Sequence, residues 1–138
     1  MTGVVHLLLG AAVGSFAKTK TGAFAAGAVS HAAADVFPHS DIDPRIDVPI
    51  MAFTAAVIGA IKGFDSVEFW GAVGGVLPDL EHGLELIGVI DKNQKIFPTH
   101  IKNGKYHGPD SDEKLGQLLI ATMSTAIILM ADNGKNDE

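Results

Sequence analysis

A chain of 138 residues is long enough to bury one hydrophobic core and too short for two, so we expect a single domain over residues 1–138. The formal net charge is −6 and the ten Lys and Arg residues form no dense basic patch, which argues against nucleic acid as a partner. There is no cysteine, which excludes disulfides and thiolate metal sites, so any bound metal must be held by His, Asp or Glu.

The first helix is predicted over residues 4–17. His6, Gly10 and Gly14 follow each other at four-residue steps, so they share one helix face, and the small residues let another helix approach closely.

The apolar start lacks the basic residues of a secretory signal. We therefore expect no cleavage, and a cytoplasmic or inner-membrane-associated protein.

The second helix, predicted over residues 23–36, repeats this arrangement, with His31 and Asp35 at the end of a small-residue stripe. An imidazole and a carboxylate one helical turn apart can bind one divalent cation. The alternative is an intrahelical His–Asp pair, which raises the histidine pKa without any metal. Pro38 should end the helix, and His39 follows in the turn as a further candidate ligand.

Residues 39–49 are predicted to form an acidic loop, in which Asp41, Asp43 and Asp47 are more simply explained as solvated residues than as ligands. The third helix, predicted over residues 50–62, has no ionisable side chain before its last residue. This pattern indicates a buried helix of the core.

The fourth helix is expected to begin at a cap provided by Asp65 or Ser66. Gly71, Gly75 and Asp79 again lie at four-residue steps. Three helices thus have the same arrangement, in which a side chain able to bind a metal lies at the end of a stripe of small residues. We expect these stripes to pack against each other and to bring the polar side chains together.

Residues 91–114 are polar and rich in Gly and Pro, and a loop this long inside a small domain is typically functional or disordered. We interpret it as a lid that carries His100 and His107 over the site. The last helix is predicted over residues 115–131, and residues 132–138 form a polar tail that we expect to be frayed.

The sequence places many ionisable groups among Ala, Gly and Leu, and burying each of them costs several kcal/mol unless something compensates. One or more divalent cations, with zinc as the best candidate, would compensate them together. The candidate metal ligands are His6, His31, Asp35, His39, Asp79, His100 and His107. A zinc ion with an open position lowers the pKa of its bound water to about 7 and so supplies hydroxide for attack on an ester. Glu81 and Asp41 are the candidates for a catalytic general base.

The mean hydropathy of +0.27 is high for a soluble domain, so a membrane location is a second possibility. A helix needs ~17–20 predominantly apolar residues to cross a bilayer. Only the uncharged runs at residues 1–17 and 115–131 reach that limit, and the second is the better anchor. We expect a compact helical bundle, with a membrane surface as a possible partner.

The chain resembles small bacterial proteins related to the zinc-dependent phospholipase C family and to the inner-membrane metal-dependent hydrolases. The resemblance is carried by His6 near the start and by the segments GAVSHAAADVFPHSD and GAVGGVLPDLEH. It implies hydrolysis of a phosphoester or of a phospholipid head group. The metal ligands that it implies are His6, His31, Asp35 and Asp79, with His100 and His107 as further matches.

We therefore expect an all-α fold, a compact bundle of about five helices around a polar centre. The function expected from the site and the resemblance is metal-dependent hydrolysis of a phosphoester or phospholipid. Two alternatives stay open. In one, the protein is a membrane-associated helical interaction protein whose glycine stripes serve helix pairing. In the other, it is a metal-binding module without catalytic turnover.

Overall fold

The computed structural model describes residues 1–97, 108–109, 111–112 and 114–131, and at positions 82, 86 and 92 it describes the backbone. Within these residues the regular structure is entirely helical, so the all-α prediction is confirmed. The helices are α1 (Gly3–Gly14), α2 (Lys20–Ala34), α3 (Pro44–Lys62), α4 (Val67–Leu86) and α5 (Leu115–Met130), with one 3-10 turn at Lys92–Gln94.

The centre of the bundle is formed by α1, α2 and α4, which meet at glycines. A Cβ atom built on Gly10 would lie 2.4 Å from the carbonyl oxygen of Gly71, and one on Gly27 would lie 2.2 Å from the same oxygen. A Cβ atom on Gly75 would lie 2.5 Å from the carbonyl oxygen of His6. There is no room for a methyl group at these crossings, so the predicted packing along the small-residue stripes is confirmed.

Replacing Gly10 by Ala is expected to destabilise the protein by about 1–3 kcal/mol, because the new methyl group must push the α1 and α4 backbones apart. The matched control is Gly83→Ala in α4, where an added Cβ atom meets nothing within 4 Å. Alanine favours helix there by up to about 1 kcal/mol. Urea unfolding of both variants checks the prediction. Equal stability of the two would contradict it.

The helix α3 differs from its prediction in both length and burial. It begins at Pro44 because proline suits the first helical position and because the Asp43 carboxylate accepts the Arg45 N–H at 2.8 Å. Six residues of the predicted loop therefore belong to this helix. The core interpretation is wrong for most of it: Ile58 is buried, but Phe53 is 71% exposed. An uncharged run cannot by itself distinguish a buried helix from an exposed apolar one.

The predicted membrane-crossing runs also differ from the observed helices. The helices in these runs are α1, with 12 residues, and α5, with 16, both shorter than the ~17 residues that a crossing needs. Among the helices of the described residues, α3 is the one that is long and apolar enough by length and composition to cross a membrane.

The last part of the long polar loop, residues 91–114, returns to the end of α2. The Gly108 N–H donates to the carbonyl oxygen of Asp35 at 2.5 Å, and the Ser111 N–H donates to that of His39 at 2.9 Å. The loop therefore ends beside two predicted ligands, although the lid itself stays a prediction. Outside the described residues lie the predicted ligands His100 and His107 and the tail, residues 132–138.

Candidate metal centre

His31 lies at the centre of the site and is fully buried. Its Nδ1 lies 2.8 Å from the carbonyl oxygen of Gly75 in α4, and because a carbonyl oxygen only accepts, Nδ1 carries the proton. In the neutral ring the lone pair is therefore on Nε2. This atom lies 3.1 Å from Oδ2 of Asp35 and 3.8 Å from Oδ1 of Asp79. The predicted one-turn spacing thus turns both side chains towards one point, and α4 supplies a second carboxylate.

His6 enters the same site from α1. Its ring stacks on the His31 ring, with centroids 3.8 Å apart and planes 22° apart. Its Nε2 lies 2.9 Å from Oδ1 of Asp35, so this carboxylate contacts both imidazoles, one through each oxygen. His6 is 1% exposed, and its buried Nδ1 has no hydrogen-bond partner among the described residues. A bound cation would supply the interaction that this nitrogen lacks.

Three of the predicted ligands form a group that can hold a metal ion. His6, His31 and Asp79 each offer one ligand atom, and these atoms all lie within 4.8 Å of one another. Two imidazoles and a carboxylate form a donor set that zinc and other first-row metals accept. Asp35 is outside this group and contacts both imidazoles, which is the position from which carboxylates commonly orient metal-binding histidines. Metal binding by Asp35 itself stays a prediction.

The two stacked imidazoles have opposite pKa shifts. Burial lowers the pKa of His6 to about 4, and the hydrogen bond to Asp35 only partly opposes this. Burial also acts to lower the pKa of His31, but the carboxylates of Asp35 and Asp79 outweigh it, so this pKa is raised above 6.5. At neutral pH His6 is thus a neutral ligand, whereas His31 attracts a proton to the nitrogen that a metal ion would bind.

His39 occupies a second polar layer beside the site. Its Nδ1 donates to the carbonyl oxygen of Phe37 at 2.7 Å, and its buried Nε2 lies 3.7 Å from Oδ1 of Asp41. The amino group of Met1 lies 3.0 Å from the same Asp41 oxygen and 3.6 Å from Oδ1 of Asp35. His39 and Asp41 are therefore near the site but outside the group of three, and metal binding by His39 stays a prediction.

Asp47, which the sequence predicts to be solvated, caps the start of α1. Asp47, in the first turn of α3, is 9% exposed, and its carboxylate accepts the N–H groups of Gly3 at 2.6 Å and Val4 at 3.2 Å. The local N-cap residue, Thr2, makes no such bond with its own side chain. The solvated interpretation of Asp47 is therefore wrong. Its carboxylate instead anchors the helix that presents His6.

Gln117 fixes the same region from α5. Its Oε1 accepts the N–H of Thr2 at 3.0 Å, and its Nε2 donates to the carbonyl oxygen of Ser40 at 2.8 Å. The Thr2 carbonyl oxygen in turn accepts the N–H of His6 at 3.2 Å. Gln117 thus joins the start of α1 to the residue after His39. In the sequence, Gln117 can be recognised as a candidate for a buried hydrogen bond because it is the one side-chain amide in a helix without ionisable residues.

Replacing Asp47 by Ala should lower the free energy of unfolding by about 1–2 kcal/mol, the usual effect of losing a helix cap. It should also weaken zinc binding by about tenfold, because the end of α1 that presents His6 is no longer held. The matched control is Asp43→Ala, which removes the cap of α3 and leaves the α1 caps in place. Urea unfolding and zinc titration separate the two effects. Equal zinc affinity of the two variants would contradict the assigned role.

The two predicted general bases lie in different surroundings. Glu81 is buried, and its carboxylate oxygens accept the N–H groups of Ile96 at 2.8 Å and Phe97 at 3.2 Å. The Glu81 carboxylate therefore holds the start of the long loop against α4. The Asp41 side chain is 53% exposed and thus open to solvent. Catalysis by either residue stays a prediction.

No protein-family model, no curated protein and no solved structure matches this chain. The resemblance to the zinc-dependent phospholipase C family and to the inner-membrane hydrolases therefore stays a prediction from the motifs around His6, His31 and Asp79.

Proposed function

We propose that this protein is a metal-dependent hydrolase that uses zinc to cleave a phosphoester, with a phospholipid head group as the favoured substrate. The observation that supports this is the meeting of two buried imidazoles and two carboxylates, brought by three separate helices to one point. These residues are His6, His31, Asp35 and Asp79.

Zinc is the metal we propose because two imidazole nitrogens and one carboxylate oxygen are a ligand set that catalytic zinc sites use. A zinc ion held there would supply a water of pKa about 7 and would polarise the phosphoryl oxygen. The chain also lacks the G-x-S-x-G and P-loop motifs of other hydrolases, so its own residues offer no clear alternative nucleophile.

The protein residues have distinct tasks in this proposal. Asp35 orients the two imidazoles, and the Gly75 carbonyl keeps the proton of His31 on Nδ1. The Asp79 side chain is 25% exposed, whereas those of His6 and His31 are at most 1% exposed. Substrate would therefore approach from the Asp79 side, where the neighbouring Leu80 is 53% exposed and offers an apolar contact.

The test begins with elemental analysis of full-length protein purified without chelator. The protein is then assayed on bis(p-nitrophenyl) phosphate and on p-nitrophenylphosphorylcholine. We expect bound zinc, turnover that a chelator abolishes, and a loss of about 100-fold or more in Asp79→Asn. Asp43→Asn removes a carboxylate outside the site and should keep full activity. Metal binding without turnover would overturn the proposal in favour of a metal-binding module. Absence of bound metal would overturn both.

A further inference from the structure

We propose that the outward faces of α3 and α5 together form a surface that contacts the hydrocarbon of a lipid membrane. Both helices flank α1 and begin beside its first residues, where Asp47 and Gln117 bond to the segment around Gly3. At their other ends, Lys62 Nζ donates to the carbonyl oxygen of Ala131 at 2.6 Å. The two helices therefore run in the same direction along α1, and their C-terminal ends meet.

The outward face of α3 is apolar along its length. No Asp, Glu, Lys, Arg or His occurs from Val48 to Ile61. The helix is apolar enough to enter a membrane, with a mean hydropathy of 1.4 over a window of which 11% is buried in the bundle. Its exposed apolar side chains are Ile46, Val48, Ile50, Phe53, Val57 and Ile61.

The outward face of α5 has the same character. From Leu115 to Met130 there is no ionisable residue. The exposed hydroxyls of Thr122 and Thr125 donate to the carbonyl oxygens four residues earlier, each at 2.8 Å. Its exposed apolar side chains are Leu115, Leu118, Leu119, Met123, Leu129 and Met130.

These features fit lipid better than a protein partner. Protein interfaces surround their apolar centre with a polar rim, whereas these two faces carry no charged residue from Val48 to Ile61 or from Leu115 to Met130. In hydrocarbon every polar group must be satisfied within the protein, and Thr122 and Thr125 meet that demand inside their own helix. The close glycine crossings of α1 and α4 are likewise typical of helices packed in lipid.

The charges of the chain indicate that the protein binds the hydrocarbon of the membrane rather than its anionic head groups. The net charge of −6 repels an anionic surface, so binding must come from apolar contact. The charged residues of α3 lie at its ends, with Asp43, Arg45 and the buried Asp47 before its apolar length and Lys62 after it. With 16 residues, α5 is too short to cross a bilayer, so the contact runs along its side.

The test is flotation of the full-length protein with pure phosphatidylcholine vesicles. We expect the protein to float with the vesicles at low and at high salt. The double variant Phe53→Lys/Met123→Lys should reduce the bound fraction by about tenfold or more. Both positions are more than 60% exposed, so the core is untouched. The matched control is Ile87→Lys/Val89→Lys, which places the same two charges at side chains 71% and 62% exposed at the end of α4 and should float like the unmodified protein.

Three results would overturn the inference. The first is that the unmodified protein stays in the lipid-free fraction, and the second is that the double variant floats as well as the unmodified protein. The third is that sedimentation without lipid shows a dimer of the unmodified protein and a monomer of the double variant, which would mean that a second copy covers the surface. Since flotation with a chelator present should be unchanged, failure of the proposed hydrolase activity would leave this result intact.

Discussion

Zinc is expected to raise the melting temperature of this protein by about 8 °C at a free concentration near 100 times its Kd, and Asp79→Asn should lose most of that gain. Binding at that concentration adds about 2.7 kcal/mol to the free energy of unfolding. Asp79 supplies the one ligand of the group of three that is partly exposed, so its replacement leaves the buried packing intact. Differential scanning calorimetry with and without zinc measures the effect.

The matched control is Asp65→Asn, which removes one carboxylate at the other end of the bundle. The Asp65 side chain is 83% exposed and pairs with Lys20, far from the site in the fold. This variant should retain the whole zinc-dependent gain. A gain of equal size in both variants, or none in the unmodified protein, would show that the metal does not bind at the group formed by His6, His31 and Asp79.

The second large effect is the pH dependence of zinc stabilisation, which should grow as the pH rises from about 5 to 8. Because the pKa of His31 is raised above 6.5 by Asp35 and Asp79, a proton occupies Nε2 below that pKa and the metal must displace it. Zinc affinity should therefore weaken by about tenfold for each pH unit below it. The pKa of His6 is lowered to about 4, so His6 stays neutral over this range and adds no slope.

Without metal, the opposite pKa shifts of the two histidines are expected to produce a maximum of stability near pH 6.5. The raised pKa of His31 contributes stability that is present below the unfolded value of 6.5 and is lost as the pH rises through the folded pKa. The lowered pKa of His6 acts in the opposite sense. Its contribution is present above 6.5 and is lost as the pH falls towards 4.

Melting temperatures measured between pH 5 and 8.5, with zinc and with a chelator, check both parts. We expect the chelated protein to pass through a maximum, and we expect the difference between the two series to increase with pH until the pH exceeds the pKa of His31. A difference that is constant over the whole range would mean that the metal displaces no proton from His31, and that the ligand assignment is wrong.

Much of the fold follows from local patterns, because helix periodicity and capping depend on residues a few positions apart. The sequence predicted five helices, and it predicted the start of α4, where the Ser66 hydroxyl accepts the Phe69 N–H at 3.1 Å. It also indicated that His31 and Asp35 share a face. The glycine steps in α1, α2 and α4 predicted that these helices pack closely, because only glycine permits backbones to approach so near.

The contacts that hold the site join residues far apart in the sequence. Asp47 caps α1 across 44 positions of sequence and Gln117 reaches Thr2 across 115, and neither bond has a local pattern. The sequence likewise does not predict how much of α3 is buried, because an uncharged helix has the same pattern whether it packs against protein or lies exposed. Local sequence patterns predict the number of helices and the side chains that each helix carries. Which side chains meet, and which faces stay exposed, depended on long-range packing between elements that no local rule connects.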